Sequence, residues 1–302
     1  MLNLPLRYAI KDLDGEELLA AGTSLDDKTL QTLAARGRDQ GYESSCLLQN
    51  EIVRTDLSSF MEEMPYRFIF GGAEGIREHL KCIGSVPLPN PLLSYLTDSK
   101  TYDFYTYRHS LMVFALTTFL LNNSFGDLAH DRQVLLVGPT HDLGKWAVSK
   151  KVLMKKTPLT RSERELLEFH PIAGCALLSY YLGDHQHPAV QVALNHHERR
   201  DGTGYPRGLS ELEPVVEMVA TCDVYDALIS SRPYRPFNYD NRTALEEITT
   251  IAETGALGWP SVQALVGRNR KGYPSADQVA VSLEKRGTPP ADNCYAKIIG
   301  EK

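Results

Sequence analysis

The segment HPAVQVALNHHERRDGTGYPRGL, His187 to Leu209, decides how this chain is read. Pro188 suits the first turn of a helix, where its missing N–H costs nothing. The apolar run that follows ends in two adjacent imidazoles, His196 and His197. A carboxylate and two arginines come next, then a loop in which Gly202, Gly204 and Pro206 surround Tyr205. This is either an ordinary helix end with a turn after it or part of a metal site with a shaped rim. Successive residues on a helix point about 100° apart. Both imidazoles therefore serve one site only if the helix unwinds locally at its end.

Working outward, the chain on both sides is helical in pattern. TYRHSLMVFALTTFLLNN (106–123) reads as one mostly buried helix by its apolar density. DRQVLLVGPTHDLGK (131–145) reads as another, running into His141-Asp142. HPIAGCALLSYYLG (170–183) has Pro171 in its first turn and Gly183 past its end. EPVVEMVATCDVYDALISS (213–231) is long, periodic and stopped by Pro233. NRTALEEITTIAETG (241–255) adds a further helix before a tail broken by proline and glycine.

The first residues differ. LRYAIKDLDGEELLAAG (6–22) predicts two short strands around a turn at Asp14-Gly15. SLDDKTLQTLAARG (24–37) predicts a helix with Ser24 as N-cap and Gly37 just past its end. SSCLLQNEIV (44–53) predicts another strand, and residues 56–82 predict helix. GSVPLPNPLL (84–93), with three prolines in five residues, marks the expected domain boundary. The expected architecture is mainly α: a small α+β unit over 1–85, with a regulatory or adaptor role, and an all-helical catalytic unit over 86–302.

Composition narrows the class. The chain has 302 residues, 42% hydrophobic and 23% charged, which is ordinary for a globular protein. A net charge of -6 argues against a general polyanion surface, and so against DNA. The cysteines (Cys46, Cys82, Cys175, Cys222, Cys294) are odd in number and never paired as CxxC, which suggests reduced thiols and a cytoplasmic location. Charges interrupt the N-terminus before any signal-peptide core forms, and the longest apolar run, Leu111–Leu121, is too short to span a bilayer.

Seven residues of metal-ligand type recur at the ends or faces of these helices: His109, His141, Asp142, His170, His196, His197 and Asp223. Imidazole plus carboxylate suits iron, manganese or zinc, and a pair of ions needs such a large ligand set. His79, His130, His185 and His187 lie in polar context and read as solvated. Lys145, three residues after Asp142, is placed to lie over the same ions. The remaining lysines of KWAVSKKVLMKK (145–156) read as a solvated face.

Five motifs, YTYRHS, HDLGK, EFHPIAG, NHHERRDGTGYPRGL and CDVYDALISSRPYRP, occur in the order and spacing of the HD-GYP family, a branch of the HD phosphohydrolases, which this chain resembles over about residues 100–240. The resemblance implies an all-helical core with two or three metal ions, iron or manganese. It implies hydrolysis of the bacterial second messenger cyclic di-GMP to the linear dinucleotide or to GMP. Carried over by position, His109, His141, Asp142 and Asp223 would hold one ion, and Asp142 would bridge to a second held by His170, His196 and His197. Lys145 would contact substrate phosphate, Arg232 and Arg235 would bind phosphate or guanine, Asp226 would support the site or substrate, and Tyr205 would pack the loop or touch substrate. Asp142 and Lys145 are the residues expected to carry catalysis. Trinuclear members place a glutamate where this chain has Tyr105, so two ions are expected. The family resemblance also implies docking of diguanylate cyclase (GGDEF) domains on the Gly204-Tyr205-Pro206 loop. The competing reading is a cyclic di-GMP receptor or scaffold without turnover.

Overall fold

The computed structural model describes residues 3–126, 132–231, 237–282 and 284–290. Its N-terminal part contains strands β1 (Asn3–Pro5), β2 (Ile10–Lys11), β3 (Glu17–Leu19) and β4 (Ser24–Asp26), followed by helix α1 (Asp27–Gln40) and strand β5 (Ser44–Cys46). β1 pairs with β4 and β2 with β3, both antiparallel, and Gly15 takes the left-handed φ of 91° in the predicted turn.

Two predicted boundaries move. Asp26, not Ser24, caps α1, accepting from the Thr29 amide at 2.8 Å. Gly37 lies inside α1, where a Cβ would meet the Tyr180 carbonyl at 1.7 Å, and the left-handed cap is Gly41. The helix period therefore continues through a glycine chosen for close packing. Of the predicted strand over 44–53, only β5 is extended. The Asn50 side chain accepts from the amides of Ile52 and Val53 and starts helix α2 (Glu51–Glu62).

Helices α3 (Tyr66–Ile69) and α4 (Gly72–Cys82) follow, as expected for 56–82. The proline-rich stretch is strand β6 (Pro87–Pro89), paired antiparallel with β5, and Pro91 enters the first turn of α5 (Asn90–Tyr102). The proposed division at residue 85 is thus crossed by a ladder, and α2 packs on α6 (Phe104–Ser124) across it. The buried apolar residues of both proposed units, from Leu25 and Leu57 to Leu111 and Leu177, form one core.

α6 is the central helix, buried almost all round from Tyr107 to Leu121. Against it lie α7 (Val137–Thr140) and α12 (Pro214–Ile229). The helix expected over 131–145 is broken among its described residues: 3₁₀ turns at Arg132–Leu136 and Leu143–Ala147 flank the single turn of α7. Short helices α8 (Lys150–Leu153) and α9 (Arg161–Leu167) lead to α10 (His170–Leu182) and α11 (Pro188–Asn195). α13 (Asn241–Glu253) and α14 (Trp259–Arg268) close the bundle. Among the described residues no helix is long and apolar enough to cross a membrane.

The N-terminal hairpin touches the helical part near its HD motif. Trp146 Nε1 donates to the Asp12 carbonyl at 3.0 Å, and the Leu13 amide donates to Tyr181 Oη at 2.8 Å.

Candidate metal centre

The seven expected ligands converge from five places in the fold. His109 comes from α6, His141 and Asp142 from the turn after α7, His170 from the start of α10, His196 and His197 from the end of α11, and Asp223 from α12. Close backbone contact sets these positions. A Cβ on Gly144 would lie 1.8 Å from the His170 carbonyl oxygen, so only glycine lets the HD turn seat on α10. α11 ends at Asn195, leaving His196 as its cap and His197 beyond it. This unwinding lets the adjacent rings share a site, with centroids 4.1 Å apart.

Two groups form, each with ligand atoms within 4.8 Å of one another: Asp142, His170, His196 and His197, and His109, His141 and Asp223. Asp142 stands between them. Its Oδ2 is 3.8 Å from His109 Nε2 and 3.4 Å from His141 Nε2, while its Oδ1 is 3.3 Å from His170 Nε2 and 3.8 Å from His196 Nε2. The two oxygens of one carboxylate face the two groups.

The outer nitrogens show what the centre accepts. His141 Nδ1 lies 2.7 Å from the Gly138 carbonyl, His170 Nδ1 2.7 Å from the Leu167 carbonyl, and His196 Nδ1 3.0 Å from the Ala193 carbonyl. His109 Nδ1 lies 2.6 Å from Asp226 Oδ2. Each acceptor assigns the ring proton to Nδ1, which leaves the Nε2 lone pair pointing inward. His170 Nε2 and His196 Nε2 then face each other at 3.3 Å as two acceptors, and His109 Nε2 faces Asp223 Oδ1 at 2.9 Å in the same way. His141 Nε2 and Asp142 Oδ1 are buried without a hydrogen bond, since the 3.3 Å approach of His170 to that oxygen lacks bonding geometry. Converging, desolvated lone pairs repel unless a cation lies among them. The donor set fits divalent metal ions.

Protonation follows the same pattern. Burial, then the neighbouring His141 and His170, push His196 down to about 3, and burial and His196 push His197 well below its ordinary range. Burial would raise Asp142, but Lys145 and His141 outweigh it and hold the carboxylate well below the usual range. For Asp223 the close approach of His109 and the neighbouring imidazoles likewise outweigh burial and hold the carboxylate low. Neutral imidazoles and ionised carboxylates are the ligand forms. His141 goes the other way: burial lowers it, yet the charge of Asp142 raises it overall. A proton drawn to its Nε2 and a metal ion would compete for the same lone pair.

Beside the ligands opens a pocket of about 280 Å³, lined among others by Tyr105, Lys145, Leu153, Met154, Arg199 and Tyr205. Lys145 Nζ donates to Asp142 Oδ2. The Tyr205 ring stacks on His197, centroids 4.7 Å apart and planes 21° apart, so it packs the loop against a ligand and also lines the pocket. Asp226 is 0% exposed behind His109, is not among the residues that line the pocket, and is placed to support His109, one of its two expected roles. One turn after Asp223, it shares the inner face of α12. Arg232 and Arg235 lie outside the described residues.

Glu198 and Arg199 were not singled out from the sequence. The Glu198 side chain, 0% exposed, accepts from the amides of Arg207 at 2.7 Å and Leu209 at 2.9 Å, closing the glycine-rich loop. A Cβ on Gly204 would sit 2.3 Å from the Arg199 nitrogen. The signal was present as an acid directly after the two histidines, but its partners are backbone groups that no pattern names. Two other histidines are corrected. His79 is buried, its Nε2 3.1 Å from the Ala115 carbonyl, and His187 is buried as the cap of α11, accepting from Ala189.

Residues 126–256 match the HD domain family. The chain is 44% identical over 169 residues to the cyclic di-GMP phosphodiesterase PA4108 of Pseudomonas aeruginosa, covering 55% of this chain and 39% of that protein. It is 34% identical over 168 residues to a cyclic di-GMP phosphodiesterase of Thermotoga maritima, covering 54% of this chain and 44% of that one. The chain thus spans less than half the length of these relatives. Among solved structures it is similar to Bd1817, an HDG"Y"P protein from Bdellovibrio bacteriovorus, with a TM-score of 0.46 and 17% identity over 87% of this chain and 94% of that chain.

Proposed function

We propose that this chain, which belongs to the HD-GYP branch of the HD phosphohydrolases, is a metal-dependent phosphodiesterase that opens cyclic di-GMP to the linear dinucleotide or on to GMP. The observation that carries the reading is the set of inward Nε2 lone pairs arranged about Asp142, which faces both ligand groups.

In this reading His109, His141, Asp142 and Asp223 hold one ion, and Asp142, His170, His196 and His197 the other. Iron is favoured, or manganese: the groups contain imidazole and carboxylate but no thiolate, and burial pushes the nearby Cys222 thiol up to about 12. Divalent ions held there would supply Lewis acidity toward phosphate oxygens and make water a nucleophile near neutral pH. The chain itself does the rest. Lys145, anchored on Asp142, brings a cation to the pocket wall for the non-bridging phosphate oxygens. Arg232 and Arg235 are proposed to bind phosphate or guanine, since guanidinium is planar and permanently charged. The apolar wall of Val152, Leu153, Met154 and Leu159 gives a base a surface to lie on. No side-chain nucleophile is required.

A cytoplasmic location and docking of diguanylate cyclase domains on the Gly204-Tyr205-Pro206 loop belong to the same proposal. The test is incubation of manganese- or iron-loaded protein with cyclic di-GMP, followed by chromatographic separation of products. Linear dinucleotide or GMP is expected. Tight binding without product would favour the receptor reading instead.

A further inference from the structure

The ligand His109 is backed by a buried chain of polar groups that begins outside the matched HD domain. Tyr66, on α3, is 2% exposed, and its hydroxyl donates to Asp226 Oδ1. The other oxygen of Asp226 accepts the Nδ1 proton of His109 at 2.6 Å. Arg108 closes the arrangement: its Nη1 donates to Ser230 Oγ at 2.7 Å and lies 3.6 Å from Asp226 Oδ1, its Nη2 donates to Glu63 at 2.8 Å, and its guanidinium lies over the Phe60 and Tyr66 rings. Tyr66, Glu63 and Phe60 belong to the segment 51–69, well before residue 126.

From this geometry we propose that Tyr66 and Arg108 are positioning residues for the ion at His109, so that the segment preceding the HD domain completes the metal centre. A carboxylate with both oxygens engaged cannot rotate away from the imidazole. It holds the ring plane and keeps the proton on Nδ1, so that Nε2 faces inward. Removing the Tyr66 hydroxyl takes away the hydrogen bond that Asp226 Oδ1 accepts and loosens that hold on the carboxylate. A second tyrosine–carboxylate bond, between α6 and α2, serves as a control. Tyr107 also donates to a carboxylate, Asp56 Oδ2 at 2.7 Å, but that bond does not lead to a ligand.

The inference rests on the metal-centre reading and is tested without turnover. The full chain is stripped of metal and titrated with Mn²⁺, free ion being followed by electron paramagnetic resonance, while thermal unfolding is recorded in parallel. Wild type is expected to bind two ions. Tyr66→Phe is expected to weaken one of them about tenfold, as loss of an outer-shell partner does, and Tyr107→Phe to leave both unchanged at a comparable loss of thermal stability. Should Tyr66→Phe not fold, Arg108→Gln, which acts on the same carboxylate, is expected to give the same selective weakening. Wild-type affinity for both ions in the folded variant, or equal weakening by Tyr107→Phe, overturns the inference alone. A wild type that takes up no Mn²⁺ overturns the metal-centre reading and this inference with it.

Discussion

The chain buries histidine in two ways. On α4, His79 is 4% exposed and stands alone: its Nε2 faces the Ala115 carbonyl, its ring stacks on Phe70, and burial pushes its pKa down to about 4. In the metal centre, His109, His141, His170 and His196 are at least as deeply buried, but there the outer nitrogen is tied to a carbonyl or carboxylate and the inner one aims at Asp142. A single satisfied imidazole is core packing. Several that spend their protons outward and converge on one carboxylate form a candidate ligand shell. Burial does not separate the two cases; the direction of the unprotonated nitrogen does.

The strongest attack on this contrast is Asp142→Ala. One carboxylate facing both ligand groups predicts loss of both ions, and elemental analysis should fall from two ions per chain to nearly none. Unchanged metal content would break the bridging role. A paired measurement sharpens it: His141→Gln should lose metal whereas His79→Gln should keep it all, although both remove a buried imidazole.

Glu198 is a third kind of buried polar group, an acid satisfied by two backbone amides. Glu198→Ala strands both donors and should cost about 3 kcal/mol in urea denaturation. A loss below measurement error would mean that the loop is held by other contacts.

His79 carries the pH prediction. Its folded pKa of about 4 lies below its ordinary 6.5. The unfolded chain therefore binds the extra proton first as pH falls. Stability from this group is intact above 6.5 and drains away toward 4, by about 2 kcal/mol between pH 7 and pH 5. His79→Gln should lack that component, and identical pH slopes in the two proteins would contradict it.

The smallest effect is expected at Tyr105, which lines the pocket but belongs to neither ligand group. A neutral phenol binds hard cations weakly, so Tyr105→Phe should leave two ions per chain. Loss of an ion from this variant would make the phenol a ligand.

How much of this was legible depends on the range of the interaction. Adjacent and periodic features were readable: the hairpin at Gly15, the helices with Pro171 or Pro188 in their first turn, and the break after Asn195 that lets His196 and His197 share a site. Features set by packing were misread. Gly37 looked like a helix end because a glycine chosen for contact with Tyr180 resembles one chosen for a turn. The prolines at 87 and 89 marked an expected domain boundary, and they lie in a strand paired with β5, which tolerates them. His79 and His187 looked solvated because their sequence neighbours are polar, whereas the fold buries both.

The sequence by itself determined the class of chemistry. Imidazoles and carboxylates at helix ends point to a metal cluster before any coordinate is known, because ligand type is a property of the residue, and the order of the motifs adds the resemblance to the HD-GYP family. Only the tertiary structure decided which nitrogen of each ring faces inward, that Asp226 stands behind His109 rather than in the pocket, and that Tyr66, 160 residues away in the chain, braces it. Those are facts of direction and distance between segments far apart in sequence. They exist only once one core has brought the segments together.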